Sequence, residues 1–176
     1  YWASHSHRLA VVKALEGQRG HDEARFQLAR SFMNFANYQI RVRALGTADD
    51  NLRQAQVIRT ELVSKRGSVT DYKADLANNY LAQAELQLMM HDEHDLKMGS
   101  PRLKKADDFL KLAETIYREL YRPDASIRIR GSWARWQVDQ ARWLVMQKPP
   151  GNPDPCLREA KAILAKPALP QDSFTL

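Results

Sequence analysis

The sequence predicts an all-α fold, an α-solenoid of antiparallel helix hairpins stacked around one continuous core. Three observations predict it. Two helix patterns recur along the 176 residues in a constant phase. Turn and capping residues fall between them. No stretch of four to eight residues alternates apolar and polar positions with the β-branched enrichment of a strand.

The first pattern is a large residue, a small one, a second small one seven residues on and a branched aliphatic four further. It reads Leu28-Ala29…Ala36…Ile40, Leu76-Ala77…Ala84…Leu88 and Trp133-Ala134…Ala141…Val145, with Met33, Leu81 and Val138 at matching places. Steps of seven and four return to one face of a helix, and the alanines admit a close neighbour. The second pattern, Leu-x-x-Ala-x-x-Ile, occurs as Leu52…Ala55…Ile58, Leu110…Ala113…Ile116 and Leu157…Ala160…Ile163. Ala29 to Ala55 is 26 residues, as is Ala134 to Ala160; Ala77 to Ala113 is 36, longer by a polar insert, 91–100. A constant phase between two helix types is the mark of a repeat.

Each element then follows in order. A looser copy of the second pattern, Leu9…Val12…Leu15, places a helix at 4–18, the trailing helix of a preceding repeat (1–18). The helix at 22–44 is closed by Gly46, with Asp49 and Asp50 to cap the next, at 50–65, which Lys65-Arg66-Gly67 ends. Thr70 or Asp71 starts a helix at 70–90. Ser100-Pro101 puts a capping oxygen before a proline at the first helical position of 101–122. Arg122-Pro123-Asp124 and Asn152-Pro153-Asp154-Pro155 separate helices at 125–147 and 155–165, and Lys166-Pro167 ends the last. The predicted organisation is three hairpins within 22–166 (22–67, 70–122 and 124–166) and a tail, 167–176. Ala29 is expected near Ala55, Ala77 near Ala113 and Ala134 near Ala160.

At these residues the chain resembles tetratricopeptide repeats, in the long-helix form found attached to bacterial multidomain signalling proteins such as serine/threonine kinases. The resemblance is carried by Tyr72-Lys73-Ala74-Asp75-Leu76-Ala77-Asn78-Asn79-Tyr80-Leu81 and by Ala113-Glu114-Thr115-Ile116-Tyr117-Arg118-Glu119-Leu120. Leu76-Ala77 matches the large–small pair that opens the family's first helix, and Tyr80 and Phe32 match its aromatic. Ala55, Ala113 and Ala160 match the small crossing residue, Pro123 and Pro167 the closing proline. Gln137 departs, standing where an aromatic is usual. The spacing departs too: Ala29 to Ala77 is 48 residues and Ala77 to Ala134 is 57, against about 34 in the family. The resemblance implies a right-handed superhelix and a non-catalytic scaffold that binds a peptide or partner protein on the face lined by the first helices. Two other readings stand beside it: a regulatory or sensor segment of a larger kinase or other effector, and nucleic-acid binding.

That face predicts the candidate site. One residue after each packing alanine come Arg30, Asn78 and Arg135, which side-by-side stacking would bring into a row, with Asn34, Asn37, Glu85 and Arg142 further along. Arginine and asparagine together can hold a carboxylate, so an acidic peptide end fits. The bland reading is a solvated polar face, with Glu85 and Asp139 offsetting the charge. In the segment 128–143, tryptophans interleave with arginines, and Trp136 is singled out because its counterparts are Ser31 and Asn79. Such a helix packs into a core, presents a protein-binding surface, or stacks single-stranded nucleic acid. The apolar arc is expected to be Ala134, Val138, Ala141 and Val145.

Signals for chemistry are sparse. His91 and His94, within His91-Asp92-Glu93-His94-Asp95, are weak metal candidates, and an acidic loop explains them as well. No phosphate-binding glycine loop, zinc-protease motif or kinase element occurs, so no cofactor is expected and any enzyme activity would lie in other parts of a parent protein. Cys156, at a helix start, could have a lowered thiol pKa, but no histidine or aspartate partner is identifiable. The formal charge of +6 comes largely from scattered arginine rather than a basic block, which argues against nucleic acid as partner. No apolar run is long enough to span a bilayer. The N-terminus enters a helical pattern at once, as a segment from inside a longer polypeptide would. One cysteine and no signal-peptide pattern make cytoplasm the default expectation.

Overall fold

A computed structural model describes residues 2–94, 100–122, 124–147 and 150–165, with side chains from Ser6 onward and none over 92–94. Among the described residues there are seven α-helices and no strand: α1 (Trp2–Ala14), α2 (His21–Arg41), α3 (Leu45–Lys65), α4 (Thr70–His94), α5 (Pro101–Leu120), α6 (Ile127–Met146) and α7 (Asp154–Leu164). The chain divides into two compact units, Tyr1–Leu86 and Gln87–Leu176, with α4 running from one into the other.

In the first unit, α2 and α3 form an antiparallel hairpin. Asp22 at the start of α2 accepts from Arg66 Nε, just past the end of α3, at 2.7 Å, and Arg25 pairs with Glu61. At the other end Asn51 Nδ2 donates to Gln39 Oε1 at 2.8 Å. Ala29, Ala36, Ala48 and Ala55 are wholly buried, so the two backbones approach closely. The first part of α4 lies against this hairpin, with the Phe26 and Tyr72 rings 5.0 Å apart beside Leu62. The short α1 is held to α2 by Arg8 Nη1 donating to the Gln27 carbonyl at 3.0 Å, and none of its described side chains is buried.

In the second unit, α5 and α6 are antiparallel, and α6 packs on α7. The Trp143 and Trp136 indoles donate to the carbonyls of Leu103 and Leu110 at 3.0 and 2.8 Å, seven residues apart on both helices. Leu88, Leu103 and Ala106 form a core cluster with Trp143 and Met146 against it. Ala134 and Ala160 are buried.

Several helix ends differ from the sequence reading. Gly46 does not stop α2; it lies in the first turn of α3. Arg43 takes the left-handed conformation (φ 61°) instead, and Ala44 N donates back to the Gln39 carbonyl at 2.9 Å, a helix stop made without glycine. Asp49 and Asp50 are therefore inside α3, where Asp49 pairs with Arg53. Helix α1 ends at Ala14 rather than 18, because Gly17 and Gly20 both turn through positive φ. The polar insert is not all loop, since α4 continues through His94. Ser100 caps α5 as expected, its oxygen accepting from Arg102 N at 3.2 Å, and Ser126 caps α6.

The largest correction concerns the expected apolar arc of α6, of which Ala134 and Ala141 are buried but the valines are not. Val138 and Val145, expected inside, are 47% and 53% exposed, while Trp133 and Trp136 are buried. Trp136 and Trp143 both hydrogen-bond to α5 through their indole N–H groups, which fixes the face of α6 that meets α5.

Candidate functional site

The polar residues of α2 form a strip. Arg30, Asn34 and Asn37 fall at i, i+4 and i+7; the first two are exposed and the third is half-buried. The Arg30 guanidinium sits 5.9 Å from the centre of the Phe26 ring, which orients it. Tyr38, exposed, stacks on Phe35 at 6.4 Å beside the strip. On α4, Asn78 and Glu85 are half-buried seven residues apart. Arg30, Asn78 and Glu85 belong to the first unit; Arg135, Trp136 and Arg142 belong to the second. There Arg135 Nε lies 3.8 Å from Asp139 Oδ2, and Arg142 is half-buried.

Trp136 is not a surface residue. It is buried, it stacks on Trp133 with ring centres 4.6 Å apart, and its N–H donates to the Leu110 carbonyl. Its counterpart Asn79 is also fully buried and donates Nδ2 to the carbonyl of Leu52 at 3.1 Å. Leu52 and Leu110 hold the same place in the second helix pattern. Equivalent donors thus reach equivalent carbonyls, and the tryptophan and the asparagine do one structural job: each bonds a first-type helix to the second-type helix before it. A helical carbonyl has a second lone pair to offer such a donor.

The sequence reading missed a buried ion pair. Arg59, 3% exposed, donates Nη1 to the Asp75 carbonyl at 2.8 Å and lies 3.6 Å from the Asp75 carboxylate. The available signal was position. Arg59 follows Ala55 by one turn and Asp75 precedes Ala77 by two residues, so both charges sit on packing faces.

The remaining candidates carry no assembled chemistry. His91 is buried within α4, the His94 side chain lies outside the described residues, and no group of three metal-binding side chains occurs among the described residues. Cys156 is half-buried; burial pushes its thiol pKa up, and the Glu159 charge adds to the shift, the reverse of nucleophile activation. Among the described residues no helix is long and apolar enough to cross a membrane. No protein-family model, curated protein or solved structure matches the chain.

Proposed function

We propose that this chain is a tetratricopeptide-like interaction scaffold that catalyses no reaction itself and binds a peptide or partner protein through the polar faces of its first-type helices. The observation that carries the reading is the repeated junction, in which Asn79 and Trp136 donate to the carbonyls of Leu52 and Leu110. The same bond at both junctions is what hairpins that are copies of one unit would make, and a stack of such units is a framework for displaying side chains. On α2 the displayed strip is Arg30, Asn34 and Asn37; on α6 it is Arg135 and Arg142. Guanidinium and amide groups at this spacing suit carboxylates, so an acidic peptide is the ligand class. Burial of Trp136 and the hydrogen bond made by Trp143 leave the indoles poorly placed to stack bases, which favours protein over nucleic acid.

The test is fluorescence anisotropy with a labelled peptide ending in three acidic residues. Binding is expected to weaken by about tenfold or more in Arg30→Ala, about 1.4 kcal/mol, with helicity unchanged. Arg135→Ala measures the contribution of α6 in the same way. Unchanged affinity in both variants would remove the polar faces from the binding surface.

A further inference from the structure

The α6–α7 hairpin carries an open apolar groove of about 360 Å³, lined by Val138, Ala141, Arg142, Val145 and Leu157 among others. Every one of these residues has a counterpart in the α2–α3 hairpin: Met33, Ala36, Asn37, Ile40 and Leu52. At three of the five positions the exposures are opposite. Met33, Ala36, Ile40 and Leu52 are buried, Leu52 completely, whereas Val138, Val145 and Leu157 are 47%, 53% and 45% exposed.

What covers the first surface is known. Helix α4 lies on it, and Asn79 Nδ2 touches both Met33 Sδ, at 3.9 Å, and the Leu52 carbonyl. One turn on, Gln83 Nε2 donates to Gln56 Oε1 at 2.9 Å. The counterpart of Gln56 on α7 is Lys161, exposed, and the counterpart of Asn37 is Arg142. The first surface already holds a cation, Arg59, which meets Asp75 of α4; its counterpart is Leu164, so the same apolar surface recurs with its basic groups moved to Arg142 and Lys161 on the rim.

We propose that the α6–α7 groove is a docking site for an acidic amphipathic helix of a partner polypeptide. The helix lays its apolar ridge on Val138, Ala141 and Val145 and places a side-chain N–H donor on the Leu157 carbonyl. A carboxylate one turn after the donor meets Lys161, where Gln83 meets Gln56 in the first hairpin. This rests on the equivalence of the two hairpins and not on the polar strip of α2, so either binding surface can fail without the other.

The probe is a labelled peptide with the sequence of residues 70–91 carrying Gln83→Glu, titrated with the full chain and followed by anisotropy. Saturable binding is expected, weakened by about tenfold or more by Val138→Asp in the chain, an exposed position whose substitution leaves helicity intact. Asn79→Ala in the peptide removes the donor and weakens binding by about fivefold or more. Lys161→Glu weakens it by a smaller factor, and a peptide with lysine at position 83 recovers that loss. Absence of saturable binding, or binding indifferent to Val138→Asp, overturns the proposal. So does a dimer in sedimentation velocity that Val138→Asp dissociates, which would make a second copy the occupant. Tighter peptide binding in Leu169→Asp/Phe174→Asp would assign the groove to the chain's own 166–176 segment and overturn it equally.

Discussion

The α3–α4 and α5–α6 junctions join the same two helix types at equivalent positions, yet they are filled by different chemistry. In the first, Arg59 meets Asp75 inside the junction, and Asn79 supplies the hydrogen bond to Leu52, with Gln83 Nε2 donating in turn to Asn79 Oδ1 at 3.0 Å. In the second, Arg59 is replaced by Tyr117 and Leu76 by Trp133; Tyr117 and Trp133 have ring centres 6.2 Å apart, and Trp133 stacks on Trp136. Of these contacts, the donor to the leucine carbonyl is common to both. A repeat of this kind constrains the backbone crossing and one hydrogen bond, and leaves the remaining volume to whatever set of side chains satisfies itself.

The largest expected effect tests the polar junction. Arg59→Met leaves the Asp75 carboxylate in place without its guanidinium, at a cost of about 3 kcal/mol or more in denaturant unfolding. A loss below about 1 kcal/mol would mean that the pair can be replaced by apolar packing, making the two junctions interchangeable.

Trp133 and Trp136 sharpen the aromatic side. Both are buried, but the Trp133 indole N–H has no hydrogen-bond partner among the described residues, whereas that of Trp136 donates to Leu110. Trp136→Phe should therefore cost about 1 kcal/mol more than Trp133→Phe. Equal losses would show that ring packing alone holds α6 to α5. In the first junction, Asn79→Leu removes the corresponding donor and one of the two acceptors of Gln83 Nε2, for about 1–3 kcal/mol by the same measurement.

A smaller effect concerns the open end of the α2–α3 hairpin. The hydrogen bond from Arg66 holds the Asp22 carboxyl below its ordinary value, and Arg25 does the same for Glu61. A folded-state pKa below the unfolded one stabilises above the ordinary carboxylate range, near 4, and the contribution disappears as pH falls through the folded value. Asp22→Asn should thus lower stability at pH 7, by less than about 1 kcal/mol because the pair is solvent-accessible, and make no difference at pH 2. Urea titrations of both proteins at the two pH values check the sign.

The smallest is chemical rather than energetic. With its pKa raised, Cys156 holds less thiolate near neutral pH than an ordinary thiol, so iodoacetamide should alkylate it more slowly than N-acetylcysteine. Faster reaction would contradict the burial of α7 against α6.

Much of this comparison was legible in advance. The alanines at 29, 55, 77, 113, 134 and 160 are all buried, as a period of seven and four requires of a packing face. The Ser100-Pro101 cap was readable because a hydroxyl before a proline has one local use. Gly46 misled because glycine is sufficient for a left-handed stop but not necessary, and Arg43 adopted that conformation instead. Arg59 and Asp75 were passed over because charges are ordinarily read as solvated, and only their mutual approach makes them interior residues. Trp136 stood out by composition, but its role was hidden until its indole was seen to match the amide of Asn79.

The sequence by itself determined the helices and the small residues buried on their packing faces, because these depend on periodicity and local sterics. It also determined the candidate polar strip on α2, since i, i+4 and i+7 share a face whatever the surroundings. Only the tertiary structure decided which copies of a repeated surface are covered. Leu52 and Leu157 have the same pattern around them and opposite burial, because burial belongs to the neighbour that arrives and not to the residue that waits for it.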